Sequence, residues 1–85
     1  MKVHTLKTIQ PYYDAVVKGY KTFEYRLNDR KFEVGDVLHL KEYNSITKRL
    51  TGDESFYLVK YIVQEVFSLP TNYCIMGIEK IEESK

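Results

Sequence analysis

Thr22-Phe23-Glu24-Tyr25-Arg26-Leu27-Asn28 alternates residue by residue, with Phe23, Tyr25 and Leu27 on one parity and Thr22, Glu24, Arg26 and Asn28 on the other. Successive side chains of an extended chain point to opposite faces, so the stretch reads as a strand between a core and a polar surface. The apolar parity is expected to face the core, and Thr22, Glu24 and Arg26 a solvent-connected cleft. Glu24 and Arg26 would then stand roughly 7 Å apart on one face, as opposite charges. Lys21 lies in the turn before the strand, where parity does not bind, so its ammonium can swing over the same surface. On composition alone such a face is a solvated strand with ion pairing worth about 0 to 1 kcal/mol.

Upstream, Gly19 follows Lys18 and reads as a helix stop, because glycine enters the left-handed region without steric cost and a cation suits the helix C-terminus. Pro11 suits the first helical position, and Tyr12, Ala15 and Val16 with Tyr13 and Val17 recur at helical spacing. Val3 to Ile9 alternates again, with His4, Leu6 and Thr8 on one side and Val3, Thr5, Lys7 and Ile9 on the other.

Downstream, Asn28-Asp29-Arg30-Lys31 and Val34-Gly35-Asp36 read as turns, and Val37 to Tyr43 as a strand. Asn44 to Glu54 is expected to be an exposed hairpin loop carrying Lys48 and Arg49. Phe56 to Phe67 reads as a long strand, bent or bulged where Lys60 and Gln64 interrupt it. A loop with Pro70 and Asn72 leads into a last strand, Tyr73 to Ile81. The sum is an α+β chain: a small, partly closed β-barrel of about five strands, which hides its sheet edges, with one main helix near the N-terminus. Residues 1–81 are expected to form one domain and 82–85 a polar, frayed tail.

Eighty-five residues support a single core, and twelve aromatics among 44% hydrophobic residues argue for a folded chain. The net charge of +1 excludes coating duplex DNA by bulk electrostatics. The charge is uneven, however: residues 1–50 hold ten Lys or Arg against six Asp or Glu, and residues 51–85 three against six. A local basic surface is compatible with that split. Cys74 is a lone cysteine, expected as a small buried hydrophobe in a reducing, cytoplasmic setting. The alternating N-terminus reads as neither a signal peptide nor a membrane span. With no phosphate-cradling glycine loop, zinc spacing or HExxH, the reading includes no metal and no cofactor.

Gly19-Tyr20-Lys21-Thr22-Phe23-Glu24-Tyr25-Arg26 resembles the G-x-K-x-x-E-x-R signature of the ASCH domains, relatives of the PUA fold, at all four specified positions. His4, Leu6 and Lys7, Asn28-Asp29-Arg30, Phe32-x-Val34-Gly35-Asp36, Glu42-Tyr43, Thr51-Gly52 and Tyr61-Ile62 extend the likeness to the short branch called DUF3850. The resemblance implies a PUA-like β-barrel whose signature residues line a cleft between barrel and helix, and RNA or nucleotide binding, with single-stranded RNA as the partner.

The residues suit that role. Lys21, Arg26 and Arg30 can hold a phosphate through charge-assisted hydrogen bonds, and Glu24 can accept from a base amino group or orient Arg26. Thr22 and Asn28 complete the expected binding set. Tyr20 and Tyr43 are candidates for stacking a base, set against simple packing. Lys48 and Arg49 either extend the basic surface or are solvated, and His4 and His39 read as structural. The competing class is a small ASCH-type hydrolase, an N4-acetylcytidine amidohydrolase or a ribonuclease, with Lys21, Glu24 and Thr22 as its catalytic residues. Glu24 occupies the place where those amidohydrolases carry a hydroxyl, which favours binding without turnover. A protein-binding accessory domain is the third class.

Overall fold

The structure, a computed structural model, describes residues 1–65 and 68–81. Its elements are β1 (Val3–Thr8), α1 (Tyr12–Val17), β2 (Phe23–Leu27), β3 (Val37–Asn44), β4 (Arg49–Gln64) and β5 (Tyr73–Lys80). The expected end of the long strand at Phe67 and the expected tail 82–85 lie outside the described residues.

All five strands join one sheet in the order β1-β3-β4-β5-β2, with β1 parallel to β3 and every other pair antiparallel. The sheet curls into a half-barrel whose free edges are β1 and β2. Its inner face carries Leu6, Leu38, Leu40, Tyr57, Val59, Cys74 and Met76, closed over by Tyr13 and Val16 of α1 and by Phe32 from the β2–β3 connection. The split of β1 holds, with His4, Leu6 and Thr8 buried. Cys74 is a buried thiol, its pKa pushed up by desolvation.

Polar groups inside the shell are paired. Asp36 accepts from Lys2 N–H at 3.1 Å, Glu33 N–H at 3.0 Å and His4 Nε2 at 2.9 Å, while the His4 ring meets Phe32 edge to face. Ser55 Oγ lies 2.8 Å from the Tyr57 hydroxyl and donates to that of Tyr13 at 3.4 Å. Burial pushes both phenol pKa values up. Among the described residues no buried side-chain polar atom lacks a partner.

The α+β assignment is overturned. Strand takes 54% and helix 8% of the described residues, so the protein is a mostly β half-barrel without a main N-terminal helix. Pro11 and Gly19 leave room for only the six-residue α1, about half the length or less at which an isolated helix becomes stable, so α1 persists through the burial of Tyr13 and Val16. It ends as the sequence suggests. Gly19 sits at φ +82°, its N–H bonds to Val16 O, and Tyr20 N–H reaches back to Ala15 O, a Schellman exit. No atom lies within 4 Å of a Cβ placed on Gly19, so a substitution there meets backbone strain and nothing else. Gly19→Val is expected to cost about 1 kcal/mol or more, lowering the thermal midpoint by about 4 to 8 °C. An unchanged melting curve would contradict that origin of the turn.

Two further expectations change. The loop expected over Asn44 to Glu54 shrinks to a turn at residues 45–48, because Asn44 Oδ1 accepts from the N–H groups of Ile46 and Thr47 and Lys48 takes φ +58°. Pairing then runs to the hairpin end, at Tyr43 with Leu50 and Asn44 with Arg49. Of the two interruptions expected in the long strand, Lys60 coincides with a bulge between Val59 and Tyr61, whereas Gln64 pairs in continuous register with Cys74.

The larger change is in β2, whose faces are exchanged. Phe23, Tyr25 and Leu27 are 45%, 47% and 44% exposed, whereas Glu24 is 3% exposed. The ladder with β5 sets this, because Glu24 pairs with Met76 and Arg26 with Cys74, both of which point into the shell. A shift of one residue would exchange every side chain on the strand.

Candidate functional site

Because β2 is a free edge with its polar parity inward, Glu24 and Arg26 point into the gap between β2 and β1. The Glu24 carboxylate is held from both sides: Oε2 is 2.6 Å from Lys21 Nζ and Oε1 is 3.3 Å from Arg26 Nη2. A buried charge persists only when paired and hydrogen-bonded, which these two cations provide. Lys21 also donates to Phe23 O at 2.6 Å and rests its ammonium 4.8 Å from the centre of the Phe23 ring.

Arg26 spans the gap. Its Nη2 donates to Lys7 O at 3.0 Å and to Thr8 Oγ1 at 3.1 Å, both on β1. Arg30, beyond the strand end, donates through Nη1 to Thr5 O at 3.0 Å. The two guanidiniums therefore stand where a closed barrel would have ladder bonds, and they cap carbonyls that an edge strand leaves open. Glu24, Arg26 and β1 form a side-chain clasp across the seam.

Above the clasp lies a cleft of about 620 Å³, open to solvent and lined by Lys7, Thr8, Ile9, Tyr12, Lys21, Phe23, Glu24, Tyr25 and Arg26. Glu24 forms part of its wall, flanked by Lys21 and Arg26, and Lys7 adds a third cation. Tyr12, Phe23 and Tyr25, each about half-exposed, also line the opening, with the Phe23 ring under the Lys21 ammonium and the Tyr25 ring tilted against Tyr73 at 5.3 Å. Such a set can grip an anion, accept a hydrogen bond at a buried carboxylate and stack a flat ring.

The residues expected at the site do not all meet there. Lys21, Glu24 and Arg26 converge. Thr22 is exposed and lines a neighbouring groove, with Gly19, Lys60 and Ile78, that shares Lys21 with the cleft, and among the described residues its hydroxyl makes no hydrogen bond to Glu24. Asn28 is committed to structure, accepting from Phe32 N–H and donating to Gln64 Oε1. Arg30 lies on the neighbouring stretch of the seam. Tyr20 is 83% exposed and lines none of these surfaces, and Tyr43 lies beneath the Lys7 ammonium at 4.7 Å. Lys48 falls in the hairpin turn and Arg49 begins β4. His39 stacks on Phe56, bonds Glu54, and lies 3.3 Å through Nδ1 from Thr5 Oγ1 on β1, outside the cleft lining. Lys7, Thr8, Tyr12, Phe23 and Tyr25 join the cleft without having been expected there.

No helix among the described residues is long and apolar enough to cross a membrane. Among the same residues, no group of three or more His, Cys, Asp or Glu is placed to hold a metal ion.

Residues 3–78 match the family model described as Domain of unknown function (DUF3850). A curated relative, an uncharacterized 12.9 kDa protein in the GpA 3′ region of Escherichia phage P2, is 43% identical over 42 residues. That stretch is 49% of this chain and 38% of the phage protein, so the chain spans well under half of that relative's length. On a match that takes in nearly the whole half-barrel, from β1 into β5, the chain belongs to the DUF3850 family.

Proposed function

We propose that the cleft between β1 and β2 binds a nucleotide or single-stranded RNA and does not turn it over. The observation that carries this reading is a buried carboxylate set between two cations and opening onto half-exposed aromatic rings. A phosphate needs the cations, an exocyclic amino group needs the acceptor, and a base needs the rings. Each Glu24 oxygen is bonded to one protein cation, which leaves lone-pair capacity for a ligand donor. Cytosine and adenine, which present an amino group, fit better than uracil.

The signature at Gly19, Lys21, Glu24 and Arg26 supports reading the family as a short branch of the ASCH domains, for which RNA binding is the proposed role. A cytoplasmic setting accords with this reading and with the lone thiol of Cys74. Glu24 is bonded to Lys21 and Arg26 and not to the Thr22 hydroxyl, which weighs against the hydrolase, because a hydroxyl nucleophile and its base must stand within hydrogen-bond reach.

Glu24→Gln distinguishes the two classes. It keeps an acceptor and removes one negative charge, so affinity for cytidine 5′-monophosphate should stay within about threefold of wild type or improve. A hydrolase that used the carboxylate as base would bind as before and lose turnover. Hydrolysis of N4-acetylcytidine or RNA by the wild type, abolished in Glu24→Gln, would replace the binding reading with catalysis.

A further inference from the structure

The seam continues past the cleft. A second open groove of about 510 Å³ shares Lys7 and Arg26 with the first and adds Arg30 and Lys41, and no carboxylate lines it. Its two arginines are anchored at a fixed interval. Arg30 Nη1 is held by Thr5 O and Arg26 Nη2 by Lys7 O, and carbonyls two residues apart on a strand repeat at roughly 7 Å. Neighbouring phosphates of an extended single strand can match that interval.

Anchoring leaves both forks partly free. Among the described residues every hydrogen bond of Arg26 is made by Nη2 and that of Arg30 by Nη1, so the remaining N–H donors of each guanidinium stay uncommitted. Asp29 lies 3.9 Å from Arg30 Nε, in a solvent-exposed pair that screening weakens. Capping the edge of β1 accounts for the arginines, yet it does not account for Lys41. That residue sits beside Lys7 in the β1–β3 register, and among the described residues it makes neither an ion pair nor a side-chain hydrogen bond. Glu54, its partner across the β3–β4 ladder, is engaged by His39.

We propose that this groove is a second phosphate subsite, and that the ligand of the seam is a single-stranded oligonucleotide of at least two residues. One phosphate lies by Lys21 and Arg26 in the cleft, and the next by Arg30, Lys7 and Lys41. A mononucleotide fills only the first position. The proposal rests on the nucleotide reading of the cleft and goes beyond it in assigning Lys41, in giving Arg30 and the shared Lys7 to a second phosphate, and in naming the ligand's length.

Calorimetric titration with cytidine 5′-monophosphate and with the 5′-phosphorylated trinucleotide pCpCpC, at low and moderate salt, tests it. The trinucleotide should bind about tenfold tighter or more, the gain expected of one further charge-assisted contact. Lys41→Gln, a change on the open sheet surface, should weaken the trinucleotide by about three- to tenfold. It should also flatten the salt slope by about 0.7 and leave the monophosphate as in wild type. A monophosphate that binds while the trinucleotide binds no tighter, or a Lys41→Gln protein unaltered toward both, would overturn the second subsite and leave the cleft reading standing. Failure of both probes to bind would overturn the two together.

Discussion

Arg26→Met is expected to destabilise the protein by about 3 kcal/mol, because it leaves a buried carboxylate short of one of its two cations. For a domain of this size that is a fall in thermal midpoint of about 12 °C or more. The loss has three sources: the bond to Glu24 Oε1, the bond to Lys7 O and the bond to Thr8 Oγ1. The first is coupled to the charge of Glu24 and the other two are not. A double-mutant cycle with Glu24→Gln therefore separates them, and a coupling of about 1 to 3 kcal/mol is expected, since the neutral amide no longer needs the cation. Urea denaturation of the four proteins measures it. Effects that simply add would show that Arg26 is an independent edge cap.

Asp36→Ala should cost a similar amount, about 3 kcal/mol, through the donors it strands. His4 Nε2, Lys2 N–H and Glu33 N–H all point at this carboxylate, and His4 is buried with it. Desolvation alone would raise the Asp36 pKa. The hydrogen bonds from His4, Lys2 and Glu33 outweigh it and hold the carboxyl below its ordinary value of 3.8. A group depressed on folding contributes its full stability above the unfolded pKa and loses it as pH falls through the lower folded value. Wild-type stability should thus decline below about pH 4, and Asp36→Asn should remove that part of the decline while lowering stability at neutral pH. Denaturant curves of both proteins across the acid range check it, and parallel pH profiles would contradict the assignment.

How much of this was legible in the sequence depends on what positioned each part. The Gly19 exit and the inner parity of β1 follow from local sterics and alternation, whereas a polar residue in an apolar run marks a bulge at Lys60 and none at Gln64. Those causes act within a few residues. The facing of β2 does not, because Phe23-Glu24-Tyr25-Arg26-Leu27 alternates equally well in either sense and the decision lies in the ladder that sets Glu24 beside Met76. One signal pointed the right way: Lys21, Glu24 and Arg26 can neutralise one another, and a self-compensating set can be buried where an isolated charge cannot.

The same inversion explains which site residues escaped notice. Alternation that puts Phe23 and Tyr25 in the core leaves Tyr20 and Tyr43 as the stacking candidates, whereas the inverted strand exposes Phe23 and Tyr25 instead. Lys7, Thr8 and Tyr12 lie far from β2 in sequence and come to it only because the half-barrel brings its two free edges face to face. Pro11 and Gly19 bound the helix in the sequence already; what the spacing of Tyr12, Tyr13, Ala15, Val16 and Val17 does not reveal is that the six helical residues between them form a minor cover on a mostly β fold rather than a main helix.

The central claim is that the seam between β1 and β2 is a ligand site as well as a closure of the fold. The most direct measurement is an NMR titration of the isotope-labelled protein with cytidine and uridine 5′-monophosphates, following backbone amides and the Arg26 Nε–H. The account predicts saturable shifts at Thr8, Lys21, Phe23, Glu24 and Arg26, at lower concentration for the cytidine nucleotide, with the 45–48 hairpin turn unmoved. Shifts confined to the hairpin or to Tyr20, or no saturable shift in the cleft, would contradict it.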